Sequence, residues 1–106
     1  MIFALREPIL SQVENYRKEK NLAGLIRALR AQDLRVSEAA AEALAGMGDA
    51  PTEYLLTKLR IKDSRLKAGI IGIFSKTQNR QAVAPLIGLL SDPASEIRWE
   101  AAIALG

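Results

Sequence analysis

The chain of 106 residues carries a net charge of +3 and contains neither cysteine nor histidine. Disulfides, thiol chemistry and histidine-based catalysis are therefore excluded, whereas a site built only from carboxylates is not. With 49% hydrophobic, 25% charged and only 5% aromatic residues, the composition favours one globular, helical domain.

Apolar residues recur at helical spacing along most of the chain. The first clear stripe occupies positions i, i+3, i+4 and i+7 and consists of Leu22, Leu25, Ile26 and Leu29. A second stripe begins at Val36, after a short polar turn. In chain order, the pattern predicts a capping helix at 8–19 and then three helix pairs, at 21–31 and 34–47, 51–61 and 64–77, and 80–90 and 94–105.

Turn residues separate the predicted helices. Asp33 and Asp63 each precede the second helix of a pair, where a carboxylate can accept hydrogen bonds from free backbone N–H groups. Asp92 offers the same cap in the third pair, and Gly48 is a C-terminal stop after the first pair. Pro85 falls about one turn inside its predicted helix, where proline removes a backbone hydrogen bond or causes a bend.

The three helix pairs are copies of one repeat. Leu29 and Leu59 are 30 residues apart, and Leu59 and Leu90 are 31 residues apart. A single amphipathic pair cannot bury its own apolar face, whereas stacked pairs share a continuous core. We therefore predict a single domain that consists of an N-terminal capping segment at 1–19 and repeats at 20–49, 50–78 and 79–106.

The segment 90–106, with the sequence LSDPASEIRWEAAIALG, resembles the HEAT-like repeat of the phycobilin-lyase type. That pattern has Asp in the turn, Val or Ile followed by Arg, then Ala-Ala and finally Ala-Leu-Gly. The first pair departs from it at Ser37, where Arg is usual. The second pair has Lys67 for Arg, and Ile70 and Ile71 for Ala-Ala. The resemblance covers most of the chain.

The resemblance implies an all-α fold, namely a right-handed α-α superhelix (a HEAT-like solenoid) of about three helix-turn-helix repeats plus an N-terminal capping helix. It also implies structural roles for Asp33, Asp63, Asp92 and Arg98, since Asp at the turn and Arg early in the second helix link neighbouring repeats of this kind. Such repeats serve many functions, so the resemblance predicts fold rather than activity. Because no polar closing helix follows Gly106, we expect either a fragment of a longer array or a final face that meets another molecule.

Residues that break the repeat pattern are the candidates for a partner-binding site. Trp99 and Ile103 are one turn apart on the second helix of the third pair, where the first pair has Glu38 and Glu42. Second helices line the concave side of HEAT-type stacks, so these four residues predict a non-catalytic scaffold that binds a partner protein through that face. In the alternative interpretation, Trp99 and Ile103 cover the open end of the stack or pack under a further repeat.

The alternative function is nucleic-acid binding along a basic stripe at the inter-helix turns of the first two pairs. The stripe consists of Arg30, Arg35, Lys58, Arg60, Lys62, Arg65 and Lys67. Stacking would align Arg30 with Arg60 and Arg35 with Arg65, and such a row can neutralise phosphates. The simpler interpretation is a solvated edge in which Arg65 and Lys67 pair with Asp63.

Enzymatic activity is not expected. Phycobilin lyases share this repeat as a scaffold, and iron hydroxylases of HEAT form depend on His-Glu pairs, whereas this chain has no histidine. The acidic residues Glu38, Glu42, Asp49 and Glu53 could bind a cation or act as acid and base, but they lack a third convergent ligand. We therefore predict no metal site and no cofactor.

The chain also has no feature that directs it to a membrane. No apolar run approaches the roughly eighteen residues that span a bilayer, and no basic segment precedes the apolar run at the N-terminus. We therefore expect no membrane partner, and the absence of cysteine leads us to expect a reducing, cytoplasmic location. Self-association through the open repeat ends is a further expectation, because open ends of a stack expose apolar surface.

Overall fold

The computed structural model describes residues 8–106, and within that range the chain is helical with short turns and no strands. The helices are α1 (Leu10–Lys18), α2 (Leu22–Leu29), α3 (Leu34–Gly46), α4 (Thr52–Lys58), α5 (Ser64–Thr77), α6 (Val83–Leu89) and α7 (Ser95–Leu105). The predicted all-α class is confirmed, and each predicted helix is present. The first residues of the predicted capping segment 1–19 lie outside the described range. None of the helices formed by residues 8–106 is both long and apolar enough to cross a lipid bilayer.

Helix boundaries follow the predicted capping residues. Asp33 accepts a hydrogen bond from the backbone N–H of Arg35 at 2.9 Å, and Asp63 accepts one from the backbone N–H of Leu66 at 3.1 Å. Both carboxylates satisfy N–H groups that have no partner within the helix. Gly48, the predicted stop after α3, has a φ of 67°, a left-handed conformation that favours glycine.

Pro85 is accommodated because α6 begins later than the sequence pattern predicted. A turn of 3-10 helix, Arg80–Ala82, precedes α6, so Pro85 is the third residue of that helix. The first N–H groups of a helix have no intrahelical acceptor, so a missing N–H there removes no bond. The expected bend or lost hydrogen bond at Pro85 is thereby avoided.

The second helices of the three pairs lie side by side. Within the pairs, α2 packs on α3, α4 on α5 and α6 on α7; between the pairs, α3 contacts α5 and α5 contacts α7. Helix α1 packs against α2 and α3 at the N-terminal end. Equivalent repeat positions supply the core, which includes Leu25, Leu55, Leu86, Val36, Leu66 and Ile97. The spacing of about thirty residues therefore brings equivalent side chains to equivalent buried positions.

Candidate protein-binding face

Trp99 and Ile103 form an exposed apolar pair on α7. Their relative exposures are 67% and 55%, and they lie one helical turn apart on the same side of the helix. Ile97 and Ala101, which face the other side of α7, are buried and hold the helix against its neighbours. A rigid helix thus presents a large aromatic side chain to solvent, and covering such a side chain gives a partner a large gain in buried apolar area.

The first two pairs indicate how the positions of Trp99 and Ile103 behave when another pair follows. We call the six equivalent residues the second-helix face: Glu38 and Glu42 on α3, Ala68 and Gly72 on α5, and Trp99 and Ile103 on α7. None of the six is buried, although α3 and α5 are each followed by another pair. The geometry therefore favours a surface role for Trp99 and Ile103 over packing beneath a further repeat.

A groove of about 390 Å³ opens between α3 and α5 on this face. Its lining includes Glu38, Ala68, Gly69 and Gly72. Part of the lining consists of small residues of α5, at the positions where α7 carries Trp99 and Ile103. Sequence reasoning did not single out this groove, although the signal was available as small residues spaced four apart, Ala68 and Gly72, on a predicted helix.

Substitution of Gly72, which lines the groove, tests whether the fold requires glycine at this position. A Cβ atom added to Gly72 would meet no atom within 4 Å, and alanine favours a helix more than glycine does. Gly72→Ala should therefore raise the free energy of unfolding by about 0.5–1 kcal/mol, as measured by urea denaturation. A lower free energy of unfolding in Gly72→Ala would contradict the free space seen around the Cβ position of residue 72.

Gly69 provides the matched control on the same helix. A Cβ atom at Gly69 would lie 2.9 Å from Cγ of Leu29, whose side chain is buried and branched. Leu29 would have to move, so Gly69→Ala should lower the free energy of unfolding. If the free energy of unfolding rises in Gly72→Ala and falls in Gly69→Ala, packing requires glycine at position 69 but not at position 72.

The two glutamates of the second-helix face open onto different grooves. Glu38 lines the groove between α3 and α5, whereas Glu42 lines a second groove between α1 and α3 together with Glu14 and Arg17. Neither Glu38 nor Glu42 forms an ion pair with another residue in the range 8–106. The structure therefore does not bring all four predicted partner-binding residues together in one pocket.

The carboxylate site considered from the sequence has no geometric support. Glu38 and Glu42 line different grooves, Asp49 lies in the turn after α3, and Glu53 is exposed in the first turn of α4. In the described part of the chain, no three acidic side chains converge as a metal site requires. The acidic residues are better described as separate charges on the surface.

Much of the predicted basic stripe is used within the protein. Arg30 pairs with Asp63 at 2.8 Å, and Lys67 pairs with Asp92 at 2.6 Å. Arg65 donates a hydrogen bond to the carbonyl of Ala31 at 3.1 Å. The expected pairing of Arg65 and Lys67 with Asp63 is therefore wrong.

Lys67 does not pair with Asp63 because the two side chains face different neighbours in the stack. Asp63 faces the preceding pair, where the end of α2 supplies Arg30, while Lys67 faces the following pair. Arg35 pairs with Asp33 in its own turn at 3.2 Å. Asp63 and Asp92 therefore link neighbouring pairs, as the repeat resemblance implied.

Arg98 and Asp33 do not make such links within the described chain. The Nη1 atom of Arg98 donates to the carbonyl of Asp92 at 2.7 Å, which holds the turn of its own pair. Asp33 caps α3 and pairs with Arg35, again within one pair. The linking role expected for all four residues applies to two of them, Asp63 and Asp92.

The remaining cations of the predicted stripe are Lys58, Arg60 and Lys62. Lys58 lies over the ring of Tyr54, with Nζ 4.9 Å from the ring centroid. Arg60 and Lys62 are exposed in the turn after α4. Because the carboxylates of Asp63, Asp33 and Asp92 partly neutralise Arg30, Arg35 and Lys67, fewer charges are left for phosphates than the sequence suggested. Nucleic-acid binding stays a prediction.

No protein family, no curated protein and no solved structure shows significant similarity to the chain. The resemblance of the helix pairs to HEAT-like repeats therefore rests on the residues quoted above, and the choice of function rests on the geometry of the second-helix face.

Proposed function

We propose that this chain is a non-catalytic scaffold of HEAT-like repeats that binds another protein through the second-helix face. The proposed arrangement is a right-handed α-α superhelix with α3, α5 and α7 along its binding side. Support comes from the contacts of α3 with α5 and of α5 with α7, and from the elongated outline of 40 × 26 × 21 Å. A stack of this kind presents side chains from successive repeats in one row.

The exposed pair Trp99 and Ile103 carries the proposal. Tryptophan is enriched among the residues that dominate binding energy at protein interfaces, and Trp99, which is 67% exposed, lies one helical turn from another exposed apolar residue, Ile103. The equivalent residues are Glu38, which is exposed, and Ala68, which is half-buried, so stacking of the pairs does not fully bury this position. We assign Trp99 and Ile103 as anchors, with Glu38 and Glu42 supplying polar contacts further along the face.

A non-catalytic role agrees with the residues that the chain contains. It has no histidine and no cysteine, so the usual general base and thiol nucleophile are missing. The two carboxylates of the second-helix face line different grooves. We accordingly propose neither a cofactor nor a metal for this function, and a cytoplasmic location remains a prediction.

Charge reversal on the second-helix face tests the proposal. The wild-type chain and the Trp99→Glu, Ile103→Glu variant are immobilised and exposed to host lysate, and each recovered protein is then titrated against both. The variant should bind roughly tenfold or more weakly, because it places two carboxylates where an apolar contact is expected. Circular dichroism should show unchanged helicity, since both side chains are exposed.

Ile9→Glu is the matched control. Ile9 is also an exposed apolar residue, with 60% exposure, but it lies beside α1 at the opposite end of the stack. Its variant should bind as the wild type does. Equal binding by all three proteins would remove the assignment of Trp99 and Ile103. Nucleic acid recovered by all three and released by salt would instead support the basic residues Lys58, Arg60 and Lys62.

A further inference from the structure

The stripe of α7 that contains Trp99 is opposite in charge and size to the equivalent stripe of α5. On α7, Glu96, Trp99 and Ile103 share one side of the helix at positions i, i+3 and i+7, and all three are exposed. The equivalent residues, 31 positions earlier on α5, are Arg65, Ala68 and Gly72. A carboxylate on α7 thus stands where α5 has a guanidinium, and two large apolar side chains stand where α5 has two small residues.

The two stripes form a groove and a ridge on one face of the molecule. Arg65, Ala68 and Gly72 line the groove of about 390 Å³ between α3 and α5. No atom lies within 4 Å of the position that a Cβ of Gly72 would take. On the neighbouring helix α7, Trp99 and Ile103 are 67% and 55% exposed and form the ridge. The chain therefore carries an open groove and, beside it, large apolar side chains that could fill such a groove.

The charges beside the groove and the ridge also match. Arg65 donates one guanidinium N–H to the carbonyl of Ala31 at 3.1 Å, and it forms no ion pair with another residue of the range 8–106. Its remaining N–H groups suit a carboxylate. Glu96, at the start of the ridge, forms no ion pair within that range either. The groove thus offers a cation, and the ridge a carboxylate, that can pair between molecules.

We infer that the partner of the second-helix face is a second copy of this chain, related by a two-fold axis that runs parallel to α5 and α7. Each copy places Trp99 and Ile103 in the groove of the other copy, and Glu96 of each copy binds Arg65 of the other. Every contact in a two-fold dimer occurs twice, so one face must carry both halves of each contact, as this face does. The inference rests on the proposed function, because it names the partner of the same face.

The register of the dimer follows from the stacking of the repeats. Helices α5 and α7 lie side by side, and equivalent positions of stacked repeats lie at the same height. Rotation about an axis parallel to the helices leaves that height unchanged, so Glu96 of one copy is level with Arg65 of the other. Lys76 also lines the groove, but it lies about three turns further along α5. Of these two cations, only Arg65 is therefore within reach of Glu96.

Sedimentation equilibrium of the whole chain, from micromolar to millimolar concentration at physiological ionic strength, tests for the dimer. The mass should rise to twice that of the monomer and no further. Trp99 is the only tryptophan, so its emission should shift to shorter wavelength over the same range as the indole leaves water. Trp99→Ala, which removes the ridge, and Gly72→Gln, which fills the groove, should each weaken the dimer about tenfold or more. Both positions are exposed, so helicity should not change.

Charge reversal on separate chains tests the pairing of Glu96 with Arg65. Arg65→Glu and Glu96→Arg should each weaken self-association about tenfold or more, because each brings like charges together at both symmetric contacts. An equimolar mixture of the two variants should form a heterodimer about as stable as the wild-type dimer, since both contacts are then between opposite charges. Mixing cannot repair a chain that fails to fold, so recovery in the mixture would show recognition between chains.

Lys76→Glu is the matched control for Arg65→Glu. It makes the same change of charge in the same groove, but at a height that Glu96 does not reach. Its dimer should stay within about threefold of the wild type, because an exposed charge without a close partner contributes little. Equal weakening by Lys76→Glu and Arg65→Glu would reduce the effect to the net charge of the chain and would contradict the specific pair.

Three further results would overturn the inference. One is a monomer throughout the concentration range. Another is a dimer that Leu90→Glu dissociates and Trp99→Ala does not, because the contact would then lie elsewhere. The third is a wild-type dimer whose two charge-reversal variants fail to associate when mixed. If the chain is monomeric while the Trp99→Glu, Ile103→Glu variant still loses a protein recovered from lysate, the second copy is excluded and the proposed function stands.

Discussion

Replacing Phe74 by alanine should lower the free energy of unfolding by about 3–5 kcal/mol, as measured by urea denaturation. Phe74 is 3% exposed and lies near the end of α5, the helix that contacts both α3 and α7. Removal of the ring leaves a cavity that surrounding helices can fill only in part. The loss is a large share of the stability expected for a domain of this size, so the variant should be partly unfolded at 37 °C.

Leu105 is the matched control for Phe74. The two residues occupy the same repeat position, 31 residues apart, but Leu105 is half-buried because no pair follows it in the described chain. Leu105→Ala should therefore cost less than the same change at Leu44, which is 0% exposed in the first pair. Equal losses at Leu105 and Leu44 would contradict the unequal burial of the repeats. Leu59→Ala should also lower the free energy of unfolding, but by less than Phe74→Ala, because the cavity that it leaves is smaller.

Replacing Asp92 by alanine should lower the free energy of unfolding by about 3 kcal/mol, the second large effect. The side chains of Asp92 and Lys67 are 6% and 12% exposed, and their charged atoms are 2.6 Å apart. Alanine would leave the Lys67 ammonium group nearly buried without its carboxylate. It would also remove the acceptor for the backbone N–H of Ala94, which lies 2.9 Å from the Asp92 oxygen.

Two further variants separate these contributions. Asp92→Asn keeps an acceptor for the Ala94 N–H but removes the charge, so it should cost less than Asp92→Ala. Combining Lys67→Met with Asp92→Asn removes both charges and should recover part of the loss, because no buried cation then lacks a partner. If the double variant were as unstable as Asp92→Ala, the cost would lie in packing and not in the unpaired charge. Asp33→Ala, in a more exposed pair, should have a much smaller effect.

The same ion pair predicts how stability depends on pH. The hydrogen bond from Lys67, together with the N–H of Ala94, holds the pKa of the Asp92 carboxyl below its usual value. The folded state therefore favours the ionised form more than the unfolded chain does. Its stabilisation is complete above the unfolded pKa of about 3.9 and is lost as the pH falls through the lower folded pKa. Asp92→Asn should flatten this acid dependence in pH-dependent denaturation, and an unchanged acid slope would contradict the assignment.

Only part of the candidate site could be predicted from local sequence patterns. Trp99 and Ile103 could be identified from the sequence because the repeat gives each position two internal counterparts, and an aromatic residue stands where Glu38 and Ala68 stand in the other pairs. For the groove between α3 and α5, the sequence offered only a partial signal, the small residues Ala68 and Gly72. The volume of the groove depends on the distance between two helices, which small residues permit but do not set.

The pairing of charges could not be predicted from sequence spacing either. Asp63 and Lys67 are four residues apart, a spacing that favours a pair within one helix. In the structure, Asp63 lies before the helix as its cap and binds Arg30, while Lys67 reaches Asp92, 25 residues later. Choosing between local and distant partners requires the positions of neighbouring pairs.

By itself the sequence determined the all-helical class and the order of the helices, because helical periodicity, capping residues and turn residues act over a few neighbouring positions. Only the tertiary structure decided which carboxylate each cation meets, where a groove opens, and which apolar residues remain uncovered. Leu29, Leu59 and Leu90 are the same residue at the same repeat position, yet only Leu90 is exposed. Its exposure is set by what packs over it, and no local pattern specifies that contact.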